Sequence, residues 1–204
     1  MNQLGDLHLD ALAEIFSIGA GRAALSLSEI VGDEVRISVP SVQIINSEDM
    51  NSATLSLNSG RFGAVTQHFS GPFNAEAVLL FTEEQALKIV SDMMGSQMSN
   101  EELAEFEHEA MCELGNIILN ACLSAMADIL GFTLDSSLPK YTVASAEDIL
   151  HRLKDDSRQP YILILHIDLS IENQNTAGNL VFLLSSASLA DLVTHIDQFL
   201  GRIS

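Results

Sequence analysis

Shifted by 99 residues, the chain matches itself at a series of chemically distinctive positions. Asp10 falls on Glu109, Glu14 on Glu113, Ser17 on Asn116 and Ile18 on Ile117. Further along, Ile30 falls on Ile129, Gly32 on Gly131, Pro40 on Pro139, and Glu48-Asp49-Met50 on Glu147-Asp148-Ile149. The offset then becomes 103, with Thr82 on Ser185, Gln85 on Ser188 and Ile89-Val90 on Leu192-Val193. Four residues added in the second half, expected around 155–159, account for the change. Self-similarity at a nearly fixed period predicts two copies of one supersecondary unit, about 6–95 and 100–201.

The first copy reads as a helix over 6–30 that stops at Gly32, with apolar residues at helical spacing. Its Ser17 to Gly21 centre implies either close helix packing at Gly19 or a local break. A strand over 35–45 follows, and Pro40 inside it points to an edge or a bulge. A short turn or helical segment is expected at Asp49-Met50. Strands over 61–69 and 76–81 flank a turn at Ser70-Gly71-Pro72. Thr82 and Gln85 can form the capping box of a helix that runs to Met94 and stops at Gly95.

In the second copy, Ser99 or Asn100 caps a long helix over 100–130, which ends at Gly131. A strand over 138–144, a short helix over 147–154, a strand over 161–170, a turn over 173–178, a strand over 179–184 and a helix over 186–200 complete it. Each unit alone would leave one sheet face bare. The expectation is therefore one α+β domain over 1–204, internally duplicated and pseudo-two-fold. It has one roughly six-stranded, mainly antiparallel sheet packed with two long helices and two shorter ones.

Charge narrows the function. There are 28 acidic and 9 basic residues, a formal net charge of -19. Such a surface does not suit a nucleic-acid backbone or an anionic membrane, so neither is expected as a partner. Residues 1–10 carry neither a basic nor an apolar stretch, and do not read as a secretory signal. No uninterrupted apolar run approaches the ~18 residues of a membrane span. Cys112 and Cys122 lie ten residues apart on one helix, too far to bridge, and fit a reducing cytoplasm. The histidines show no ligand spacing, and no metal site is expected in this chain.

The long second helix is apolar almost all round, yet keeps one polar line: Glu109, Glu113, Asn116, Asn120, Ser124 and Asp128. Steps of three and four residues place these on one stripe. Such a line could be no more than the solvated face of an amphipathic helix. What lifts it above that reading is its copy. Glu113, two residues, Asn116, twenty-two residues, Pro139 repeats Glu14, two residues, Ser17, twenty-two residues, Pro40.

This doubled pattern resembles the CheC/CheX/FliY family of chemotaxis phosphatases, and is most like its two-unit CheC branch. The resemblance covers nearly the whole chain. It implies hydrolysis of the phospho-aspartate on the receiver domain of a CheY-like response regulator. By position, Glu113 would anchor to a receiver lysine, and Asn116 would orient the attacking water beside the phosphoryl group. Glu109 and Asn120 would be flanking partner contacts. Pro40 and Pro139 are expected at a strand start or bulge. The chain would bind no cofactor, and the Mg2+ would belong to the receiver.

Phosphoryl transfer asks mainly for positioning and electrostatics. A neutral carboxamide can accept from the water through its oxygen and donate through its NH2. Asp10, Glu14 and Ser17 would form a degenerate first site, because a hydroxyl is shorter and lacks the paired donor and acceptor. Glu109 stands where the family more often has Asp or Ser. The rival expectation is a non-catalytic, CheC-like interaction protein in a chemotaxis or two-component pathway. The CheC branch also binds the receptor deamidase CheD, and no stretch of the sequence decides for or against a CheD-like partner.

Overall fold

The computed structural model describes residues 4–57, 60–94, 99–154, 160–171 and 174–203. The first part of the chain forms α1 (Asp6–Val31), β1 (Val35–Asn46), a 3-10 turn (Ser47–Asp49), β2 (Arg61–Ser70), β3 (Ala75–Thr82) and α2 (Glu83–Met94). The second forms α3 (Asn100–Leu130), β4 (Asp135–Ser136), β5 (Lys140–Ser145), α4 (Ala146–Lys154), β6 (Tyr161–Ile171), β7 (Gln174–Leu184) and α5 (Ser186–Ile203). The expected stop at Gly95 and the added residues at 155–159 lie outside the described residues.

The fold is α+β, with one seven-stranded antiparallel sheet. Its order is β1-β6-β7-β3-β2, and β2 then pairs with both β5 and the two-residue β4. Exchanging β1, β2 and β3 for β5, β6 and β7 leaves the order β1-β6-β7-β3-β2-β5 unchanged. Against the expectation of six strands and two shorter helices, β4 is the extra strand. Among the described residues, three shorter helices, α2, α4 and α5, accompany the long pair.

The central strands are buried on both faces, and alternation divides their side chains between two cores. Val65, Leu79, Phe81, Leu163, Leu165, Leu180 and Phe182 face the helices. Phe62, Ala64, Val78, Leu80, Ile162, Ile164, Val181 and Leu183 face a smaller cluster closed by Met50, Leu55, Ile149 and Leu153. The helix ends follow local chemistry. Gly32 and Gly131 take positive φ of 76° and 80° beyond α1 and α3. Ser99 Oγ accepts from Glu102 N–H, while Glu102 accepts from Ser99 N–H at 2.8 Å. Thr82 and Gln85 make the same reciprocal pair at α2.

α1 runs unbroken through Ser17 to Gly21, because the glycine serves packing. A Cβ on Gly19 would lie 2.6 Å from Cys122 Cα of α3. By length and composition α3 could cross a membrane, but most of it is buried in this fold. It supplies Met111, Leu114, Ile118, Leu119 and Leu123 to the larger core.

Two strand assignments differ from the sequence reading. Residues 174–178 belong to β7, paired with β6 as far as Ile171↔Gln174, where a turn was expected. Asn, Thr and Gly suggested a turn there, but partner strands outweigh propensity. Gly178 serves close packing, since a Cβ on it would lie 2.7 Å from the Phe81 ring. The expected strand over 138–144 begins only at Lys140. Leu138, 86% exposed, and Pro139 precede it, and Pro139 has no N–H to give to a ladder. Pro40 lies at a register shift between Ser38 and Ser41, on the edge strand β1.

Burial also sets the thiol chemistry. Cys122 is fully enclosed, and desolvation pushes its thiol from an ordinary 9.0 to about 12. Burial raises the half-buried Cys112 as well. Native protein at pH 8 should therefore yield at most one thiol, Cys112, to a disulfide reagent, and both after denaturation. Below pH 9.0 both states keep the Cys122 proton. Between 9.0 and about 12 only the unfolded chain releases it, so stability should fall with rising pH across that window, as denaturant titration would measure.

Candidate functional site

The polar stripe of α3 emerges at one groove. Ile30 at the end of α1, Met93 and Met94 at the end of α2, and Leu138-Pro139 before β5 surround α3 at Phe106, Glu109, Ala110, Cys112, Glu113 and Asn116. The groove measures about 690 Å³. Its rim is unusual for a surface. Ile30 is 49% exposed, Met94 43%, Phe106 39% and Leu138 86%. Four large apolar side chains around two acids and a carboxamide form an adhesive patch with a polar centre.

Glu109 and Glu113 are exposed, and Asn116 is half-buried. Glu113 and Asn116 lie one helical turn apart and can enter one pocket of a partner together. What places Asn116 is the close approach of α3 to β2. A Cβ on Gly115 would lie 2.8 Å from Val65 Cβ and closer still to a Val65 methyl. The helix therefore lies directly on the strand, and Asn116 reaches Gln67 two residues further along β2.

The carboxamide of Asn116 is held from within. Asn120 Nδ2 donates to Asn116 Oδ1 at 2.7 Å and to the Asn116 backbone carbonyl at 2.8 Å. Gln67 Nε2 donates to Ser137 O at 2.7 Å and makes a longer contact, 3.5 Å, to Asn116 Oδ1. Ser137 is itself fixed to β2: its N–H donates to His68 O, and its Oγ accepts from His68 N–H. Pro139 O lies 3.9 Å from Cys112 Sγ, which ties the segment before β5 to α3. Below the groove, buried Tyr141 donates to Glu107, and burial first, then that acceptor, raises its phenol.

Of the residues singled out from sequence, Glu109, Glu113 and Asn116 line one groove. Asn120 does not line it, and is bonded to Asn116 instead. Asp128, at the far end of the stripe, pairs with Arg22 of α1 at 2.8 Å. Asp10, Glu14 and Ser17 are exposed on α1 and do not join the α3 groove. Sequence reasoning missed Gln67. Its signal was a glutamine two residues from Val65 and two from Phe69, and so on the same face of the strand as both. Among the described residues, no three His, Cys, Asp or Glu side chains come together as metal ligands.

Comparison with known proteins gives relatives in sequence and in fold. The model of the family described as Chemotaxis phosphatase CheX matches residues 64–164, a span that holds Gln67, Glu113, Asn116 and Pro139. CheC1 of Halobacterium salinarum is 24% identical over 173 residues, covering 84% of this chain and 87% of that protein. The CheY-P phosphatase CheC of Bacillus subtilis is 23% identical over 148 residues, covering 70% of this chain and 69% of that one. In fold, FliY of Thermotoga maritima superposes with a TM-score of 0.80 at 23% identity, over 97% of this chain and 100% of that one. The chain belongs to the CheC/CheX/FliY family.

Proposed function

We propose that this protein is a phosphatase acting on the phospho-aspartate of a CheY-like response-regulator receiver, from the α3 groove. The observation that carries the reading is the lip of that groove, where exposed Glu113 and half-buried Asn116 sit inside an apolar rim. The rim suits a protein partner and excludes bulk solvent once docked, leaving the attacking water. Glu113 anchors the complex on a cation of the receiver, and Glu109 flanks it. Asn116 orients water for attack on phosphorus. The phosphorus–oxygen bond to the aspartate breaks, the carboxylate leaves, and inorganic phosphate departs. An acyl phosphate is already activated, so placing the water is the main task. Mg2+ and the reacting aspartate belong to the receiver.

Only the second copy of the motif catalyses. Ser17, in the place of Asn116, cannot reach as far or offer an amide. The similarity to the CheY-P phosphatase CheC supports the same substrate class, and the doubled motif supports the CheC branch. The working place is the cytoplasm, in keeping with two free thiols.

The test is phosphate release from CheY-like receiver domains charged with acetyl phosphate, with and without this protein. Acceleration is expected with at least one receiver, and Ser17→Ala should leave it within about twofold. If no receiver is dephosphorylated faster, the enzyme reading fails. If Ser17→Ala abolishes the activity, the single-site reading fails.

A further inference from the structure

We propose that Gln67 and Asn120 are positioning residues that fix the Asn116 amide, so that its NH2, not its carbonyl, is the end that meets the attacking water. The proposal rests on the phosphatase reading and deepens it. Two backbone carbonyls decide the orientation. Asn120 bonds the Asn116 backbone carbonyl at 2.8 Å, so the Asn120 atom there must be its NH2. Gln67 bonds Ser137 O at 2.7 Å, so the atom there is likewise an NH2. Both amino groups also point at one atom of Asn116, at 2.7 Å and 3.5 Å. That atom must be an acceptor, Oδ1. Turning the amide over would set its NH2 against two others. Its own NH2 is therefore left to face the groove.

The chemistry agrees. In a loose transition state the water needs orientation more than a base, and an N–H donating to one lone pair of its oxygen leaves the other aimed at phosphorus. The water proton is lost as the new bond forms, to a phosphoryl oxygen or to solvent.

Gln67 bears a mark of function over stability. Its side chain is 1% exposed, and its Oε1 is buried with no hydrogen-bond partner among the described residues. A buried acceptor left unmatched destabilises. Methionine, an apolar side chain of the same length, would shed that penalty in exchange for the bond to Ser137 O, leaving stability nearly unchanged.

Gln67→Met and Asn120→Leu should each lower kcat for phosphate release from an acetyl-phosphate-charged receiver by about tenfold or more, with KM within about twofold. Gln67→Met should melt at the same temperature as the wild type or higher. A merely structural glutamine would give the reverse: lower melting with kcat intact. In protein labelled with 15N-asparagine, the Asn116 NH2 should exchange with solvent faster than the Asn120 NH2. Wild-type acceleration that survives unchanged in both variants overturns the positioning proposal and spares the phosphatase reading. A protected Asn116 NH2 does the same. Absence of wild-type acceleration overturns both.

Discussion

Asn116→Ala should remove nearly all of the receiver phosphatase activity, by about a hundredfold or more, while leaving affinity for the charged receiver close to that of the wild type. The loss is large because a single oriented donor at a reacting centre is worth about 10² to 10³ in rate. Affinity should survive because the side chains suited to binding lie elsewhere. Phe106, Leu138, Met94 and Ile30 supply the exposed apolar rim, and Glu113 the charge. Asn116 is half-buried and makes its bonds within its own fold, to Asn120 and Gln67. Steady-state release at several receiver concentrations separates the two effects. A rise in KM with kcat intact would make Asn116 a docking residue and defeat the catalytic assignment.

Gly115→Ala should destabilise the fold and disturb the site together. The new carbon would stand 2.8 Å from Val65 Cβ, a distance real side chains do not tolerate. Val65 is fully buried and β-branched, so it has little rotamer freedom with which to retreat. Overpacking of this kind costs about 1–3 kcal/mol, against about 1 kcal/mol that alanine returns in helix propensity. The melting temperature should drop by several degrees. The sharper effect is on the site. Relief requires α3 to lift from β2, and Gln67 on that strand touches Asn116 at only 3.5 Å. Turnover, measured well below the melting transition, should therefore fall further than the folded fraction accounts for. A variant that is destabilised but turns over normally would show that the α3–β2 spacing does not set the geometry of the amide.

These two residues mark how far the sequence could be read. Helix ends were legible because their causes are local. Gly32 and Gly131 stop α1 and α3, and Ser99 with Glu102 starts α3 within four residues of chain. The α3 groove was legible in part, since Glu109, Glu113 and Asn116 share a stripe whatever packs beneath them. Gln67 was not, because it reaches Asn116 from 49 residues away through a strand register that no local pattern encodes. Asn120 was seen but assigned to the rim. Helical spacing set it one turn from Asn116, but only the structure shows the two side chains bonded to each other. Residues 174–178 were misread for the same reason, since Gly178 answers to the Phe81 ring, not to a bend.

The sheet order carries a consequence for biogenesis. The strand β1 is made early but, among the described residues, pairs with β6 alone, and its last residue, Asn46, sits opposite Tyr161. The ribosome must add 161 − 46 = 115 residues between them. At about 5–20 residues per second, that leaves β1 without its neighbour for roughly 6 to 23 seconds. During that wait, an apolar strand stretch such as Val42 to Ile45 is open to any passing chain. The bulge at Pro40 interrupts that edge. It also shortens the flat, adhesive length that a nascent chain exposes to its neighbours on a polysome.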